Sequence, residues 1–130
     1  MWRLALASLV TLSACSGPSA PTVRLNEEFV LRRGEAATLG DTGLRIGFVG
    51  VEGDSRCPAD AVCIQGGDAI VRIELASASH PVATYALHTG DMRPVVHGSL
   101  TIALVQLSPY PFSAQTIQPG EYRATLRVTG

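Results

Sequence analysis

The stretch Ala69-Ile70-Val71-Arg72-Ile73-Glu74-Leu75 decides the fold class. Ala69, Val71, Ile73 and Leu75 alternate with Arg72 and Glu74, and a period of two sends one face into a core and the other into water, which is the pattern of a half-buried strand. The same alternation recurs in Leu44, Ile46 and Phe48 against Arg45, in Leu100, Ile102 and Leu104, and in Tyr122, Ala124, Leu126 and Val128 against Arg123 and Arg127. Further strands are expected around Phe29 to Arg32 and around Val82 to Leu87. Between these runs lie turn signals at Gly34, Gly40-Asp41-Thr42-Gly43, Gly66-Gly67-Asp68, Thr89-Gly90-Asp91 and Gln118-Pro119-Gly120. No helix-length amphipathic stretch separates them, and no repeat is visible. The spacing predicts an all-β domain, a seven- to eight-stranded antiparallel sandwich or barrel.

Outside this domain the N-terminus has another character. Met1-Trp2-Arg3 supplies one positive charge, Leu4 to Leu12 an apolar stretch, and Ser13-Ala14 two small residues before Cys15, the order of parts in a secretory signal. A helix over residues 4–14 would be about 16 Å long, too short for a hydrocarbon core of about 30 Å. Leu12-Ser13-Ala14-Cys15 resembles the lipobox of bacterial lipoproteins. The resemblance implies removal of residues 1–14 and lipidation of Cys15. Ser16 follows the cysteine where an aspartate would imply retention at the inner membrane, so the expected location is the outer membrane, lipid-anchored and facing the periplasm. Residues 15–26, with Pro18 and Pro21, read as the lipidated cysteine and a tether, and residues 27–130 as a single β domain.

Lipidation of Cys15 resolves the odd cysteine count, leaving Cys57 and Cys63 as a pair in an oxidising compartment, where a disulfide that staples one loop is expected. Cys-x5-Cys is not the redox Cys-x-x-Cys spacing. All ten basic residues are arginine, they are scattered, and the formal net charge is -1, which excludes a nucleic-acid partner.

The composition from Glu52 to Asp68 is the most unusual in the chain. Asp54-Ser55-Arg56-Cys57-Pro58, a second cysteine, then a glycine and a strand resemble small exported bacterial proteins, often lipoproteins, and the likeness extends loosely to a C-terminal Pro-x-Pro and to Tyr122-x-Ala124-x-Leu126. The resemblance implies fold and compartment, not chemistry. Two readings of the loop stand side by side. It presents Asp54, Arg56 and Asp60 to a protein partner in the envelope, or its staple substitutes for core packing while Asp54 pairs with Arg56 or caps a turn. The second glycine at Gly67 suggests a loose approach to the next strand. A calcium site from Glu52, Asp54, Asp60 and Asp68 has no EF-hand-like spacing.

Two other segments carry candidates. Pro109-Tyr110-Pro111-Phe112 is a crossing loop, since two prolines deny the ladder its donors, and its aromatics are expected to cap the open end of the core rather than form a recognition surface. In His88 to His97 a hairpin turning between Met92 and Arg93 would set His88 opposite His97 on the outer face, with Tyr85, Leu87, Val96 and Leu100 on the core face. His88, Met92 and His97 would then be weak candidates for copper or zinc. No nucleophile elbow or paired carboxylates appear, and no cofactor is implied. The expected function is a lipid-anchored envelope binding or structural module, not an enzyme. The alternatives are inhibition of exported hydrolases through the Cys57–Cys63 loop and metal binding at His88, Met92 and His97.

Overall fold

The computed structural model describes residues 20–40 and 42–130, so the expected signal and lipobox through Cys15 lie outside the described residues. The described chain is built from nine strands. In chain order these are β1 (Thr22–Val23), β2 (Glu28–Arg32), β3 (Ala36–Leu39), β4 (Arg45–Asp54), β5 (Ala69–Ser77), β6 (His80–His88), β7 (Val95–His97), β8 (Leu100–Ser108) and β9 (Arg123–Thr129). A 3₁₀ turn at Pro119–Glu121 leads into β9.

Alternating strands have one apolar face each, so two sheets must stack to bury both, and they do. One sheet has the order β1-β3-β4-β5-β6 and the other β2-β9-β8-β7. All pairings are antiparallel except β1 with β3. The architecture is the expected sandwich, with nine strands in place of seven or eight. The strands not read from sequence are β1 and β3, of two and four residues, and the three-residue β7 is not separable there from β8; pieces this short sustain no readable period of two.

β5 is flanked on both sides, and its inward residues Ala69, Val71, Ile73 and Leu75 are completely buried. Ile46 and Phe48 face them from β4, and Ile102, Ala124, Leu126 and Val128 close over them from the second sheet. The sheet also takes in residues read from sequence as tether. Thr22 and Val23 pair with Thr38 and Leu39, while Pro21 and Val23 carbonyls accept from the Thr38 and Gly40 amides at 2.8 and 2.9 Å. The chain then crosses to form β2 in the other sheet before returning as β3, which makes the β1–β3 pairing parallel.

Two orientations differ from the sequence reading. β6 pairs only with β5 and β7 only with β8, so residues 89–94 cross between layers and the expected hairpin does not form. Val96 accordingly points to solvent, while Val95 packs against the core.

Truncating Ile73 to alanine should lower the unfolding free energy by about 2–5 kcal/mol, because the site is enclosed by strands on every side and cannot collapse. Val30→Ala, at a position 55% exposed, should change it by no more than about 0.5 kcal/mol. Urea unfolding followed by circular dichroism checks both, and equal losses would show that β5 is not the centre of the core.

Candidate functional site

The β4–β5 connection begins at Asp54, the last residue of β4, and returns at Ala69. Its base is closed by Ser55. The Ser55 amide and hydroxyl both donate to the Asp68 carbonyl, at 2.8 and 2.9 Å, and the Asp68 amide donates to the Ser55 hydroxyl at 3.0 Å. Gly67 passes so close beneath this clamp that an added Cβ would lie 1.5 Å from the Ser55 carbonyl oxygen. The second glycine is therefore a tight contact and not a loose approach, because only a residue without a side chain lets the two backbones meet.

Arg56 turns inward and is 8% exposed. Its Nε donates to Asp54 Oδ1 at 2.8 Å and its Nη2 to Asp54 Oδ2 at 2.7 Å, a two-pronged ion pair whose planar geometry suits guanidinium and carboxylate. Nη1 donates to the Leu107 carbonyl at 2.9 Å and Nη2 also to the Pro109 carbonyl at 3.0 Å, while the Tyr110 ring covers the guanidinium with its centroid 5.5 Å from Cζ. The Tyr122 hydroxyl donates to Asp54 Oδ2 at 2.9 Å. Asp54 ends β4 and Arg56 follows it in the first sheet's connection, whereas Leu107 lies near the end of β8, Pro109 just after it, and Tyr122 just before β9. The group ties one layer to the other.

Burial pushes the Asp54 carboxyl up, but hydrogen bonds from Arg56 and Tyr122 outweigh it and hold the carboxyl below its ordinary range. The same bond to Asp54 raises Arg56, against the opposing effect of desolvation. Burial, reinforced by the bond to the Asp54 anion, pushes Tyr122 up to about 12.

Beyond Arg56 the Cys57–Cys63 disulfide closes the loop, with Cα atoms 6.0 Å apart. The Ala59 amide donates to the Pro111 carbonyl at 2.8 Å. Asp60 accepts from the Ser113 amide at 2.9 Å and from the Ser113 hydroxyl, and these two bonds hold its exposed carboxyl below the ordinary range. The stapled loop and the 107–113 segment thus form one body. Val62 and Ile64, on either side of Cys63, are left fully exposed at its tip.

The aromatics of the 107–113 segment do not cap the core. Tyr110 is 55% and Phe112 48% exposed, because the tethers to Arg56, Ala59 and Asp60 hold this segment against the stapled loop. Ile117 packs against the core instead. The three candidate metal ligands also separate. His88 lies opposite Ile70 in the first sheet and its Nδ1 bonds Asp68 Oδ2, whereas His97 lies opposite Leu100 in the second and its Nδ1 meets the Tyr85 hydroxyl at 3.0 Å. Met92, at φ 54, donates its amide to the His88 carbonyl in the crossing. The acids considered for calcium have separate partners: Glu52 pairs with Arg72, Asp54 with Arg56, Asp60 with Ser113, and Asp68 with His88 and the Gly90 amide. Among the described residues no three His, Cys, Asp or Glu side chains converge as metal ligands.

Sequence reading missed Ser55, Tyr122 and Ser113 as members of this site. Tyr122 alone carried a signal: an inward tyrosine brings a hydroxyl that must find a partner when buried.

The chain matches no protein-family model, no curated protein and no solved structure, so its functional reading rests on this geometry.

Arg56→Met leaves the Asp54 carboxylate without its cation and should cost about 3–5 kcal/mol of stability, while Asp54→Leu combined with Arg56→Met should cost less than the sum of the single losses. Urea unfolding of the four proteins of this cycle checks the coupling, and strictly additive losses would contradict it. Tyr122 adds a pH dependence. Its proton is held more tightly in the folded state, so stability present below its ordinary value of 10.0 is lost as pH rises toward about 12. Tyr122→Phe should flatten that decline in alkaline melting curves, and an unchanged decline would assign it elsewhere.

Proposed function

We propose that this chain is a lipid-anchored binding module of the cell envelope, a binder rather than an enzyme, that takes hold of a protein partner through the tip of its stapled loop. The observation that carries the reading is the full exposure of Val62 and Ile64 on a loop whose anchoring groups are all engaged. Apolar side chains projecting from a fixed backbone contribute binding with little ordering cost, since the loop has already been ordered by folding. Tyr110 and Phe112 extend the exposed apolar surface along the segment joined to it.

The charge around the tip points to a protein and not to a lipid surface. Between Cys57 and Val71 the chain has no basic side chain, Arg56 is engaged inward, and Asp60 lies exposed on the flank of the loop. A tip without basic groups gives anionic headgroups nothing to attract, whereas an exposed carboxylate complements a basic group beside an apolar pocket. Leu12-Ser13-Ala14-Cys15 supports the anchor, and Ser16 after it the outer-membrane address. Inhibition of an exported hydrolase is a special case of the same reading. Arg56 is engaged inward, so the inserted side chain in that case would be Val62 or Ile64.

Photo-crosslinking in intact cells tests the reading. A benzophenone amino acid at position 62 or 64 should give one discrete protein adduct that disappears with an added Asp60→Lys change, and the same probe at Val30 should not. Adducts that are equal from all three positions, or that consist of lipid alone, would refute it.

A further inference from the structure

At the end of the sandwich opposite the stapled loop, two tight hairpins meet, one from each sheet. The pairing of Ser77 with His80 leaves Ala78–Ser79 as the turn between β5 and β6, and the pairing of His97 with Leu100 leaves Gly98–Ser99 as the turn between β7 and β8. Gly98 has φ 61, the left-handed conformation that two-residue hairpins favour and glycine supplies. Each hairpin therefore sets a histidine at a fixed position beside its turn. The two imidazoles line one surface pocket with Thr42, Ser77, Ser79 and Ser99.

The geometry points to a copper(II) site shared by His80 and His97, with water completing the coordination. His80 Nδ1 lies 3.0 Å from the Ser79 hydroxyl, and His97 Nδ1 lies 3.0 Å from the Tyr85 hydroxyl. A hydroxyl oxygen accepts from Nδ1–H, and that tautomer leaves the Nε2 lone pair for a metal. This is the arrangement in which a ligating histidine is oriented by a partner on its other nitrogen. Among the described residues neither Nε2 has a hydrogen-bond partner.

The separation is compatible. A metal about 2.0 Å from each nitrogen lies about 3.1 Å from each ring centre, so two rings can share one ion only when their centres are within about 6.3 Å and both Nε2 atoms are turned toward it, nearly trans at the upper limit. The centroids of His80 and His97 are 6.2 Å apart, with the rings inclined at 70°. His80 is exposed and can turn its Nε2 toward the shared ion, while His97 is half-buried against Tyr85. Copper is the metal of choice because two imidazoles are a small donor set. Among divalent first-row ions copper(II) binds nitrogen donors most tightly, and it accepts tetragonal coordination completed by water. Met92 and His88 take no part. His88 stands at the other end of β6, where its Nδ1 bonds Asp68.

The test is calorimetric titration of the tag-free full-length protein in detergent with copper(II) sulfate, alongside electron paramagnetic resonance of the loaded protein. One copper per chain with superhyperfine coupling from two nitrogens is expected. His80→Ala and His97→Ala should each weaken binding at least about tenfold and leave one coupled nitrogen, Tyr85→Phe should weaken it by less, and His88→Ala should leave it unchanged. His80 is exposed, so His80→Ala decides the question even if His97→Ala fails to fold. Absence of saturable binding, affinity unchanged in His80→Ala, loss in His88→Ala, or tighter binding of zinc than of copper would each overturn the assignment.

Discussion

A guanidinium cannot leave water without partners for its donors, and the buried Arg56 is the constraint around which one end of this molecule is arranged. Even after relaxation, removing an ion from water costs several kcal/mol, which is recovered only when charge and hydrogen bonds are both matched. Asp54 supplies the opposite charge in two-pronged geometry, and the Leu107 and Pro109 carbonyls take further donors. Those carbonyls lie at the end of β8 and just beyond it in the second sheet, and Asp54 at the end of β4 in the first. An apolar core attracts the two layers without direction, whereas a planar fork of N–H groups has one satisfactory arrangement. The fork thereby fixes how the layers sit over each other at this end, and Tyr122 adds a third point from the start of β9.

Three closures then act on the loop at different depths. Ser55 clamps Asp68 at the base, with Gly67 as the residue that permits the approach. Ala59 and Asp60 tie its flank to Pro111 and Ser113. The disulfide shapes the tip, and as a short-range link between Cys57 and Cys63 it cannot by itself hold the loop to the body. That division of labour explains why the tip is free to expose Val62 and Ile64. No core packing is asked of these side chains, since every anchoring function is met by polar groups and backbone below them.

The sandwich was legible where side chains alternate over long strands. Ala69 to Leu75 and Tyr122 to Val128 have their expected faces buried, because a period of two sustained over four apolar residues has no other solution in a small domain. β1, β3 and β7 were not legible as separate strands, since two to four residues sustain no period. The misplaced hairpin had a different cause. Thr89-Gly90-Asp91 is a sound local turn signal, but Asp68 bonds the Gly90 amide and His88 from twenty residues away, and the crossing it stabilises competes with the local turn. Arg56 was ambiguous for the same reason. Its inward orientation depends on two carbonyls more than fifty residues further along the chain, and nothing in Asp54-Ser55-Arg56-Cys57-Pro58 announces them.

The two ends of the sandwich differ in what their polar groups have left over. At the stapled end Asp54, Arg56, Ser55, Asp60 and Asp68 are each satisfied inside the molecule, and polar groups so consumed make structure. His88 shows the consequence: its ring nitrogen is taken by Asp68, and it is a strand-terminating residue despite its chemistry. At the other end His80 and His97 each have Nδ1 engaged by a hydroxyl, and both residues line one pocket. The residue type is the same, and the difference lies in position. His88 ends β6 beside the stapled loop with its Nδ1 on Asp68, whereas two hairpin turns, one from each sheet, bring the His80 and His97 rings to centroids 6.2 Å apart. A hydroxyl or a carboxylate on Nδ1 orients an imidazole equally well, so it is the second imidazole across the pocket that distinguishes this end of the molecule.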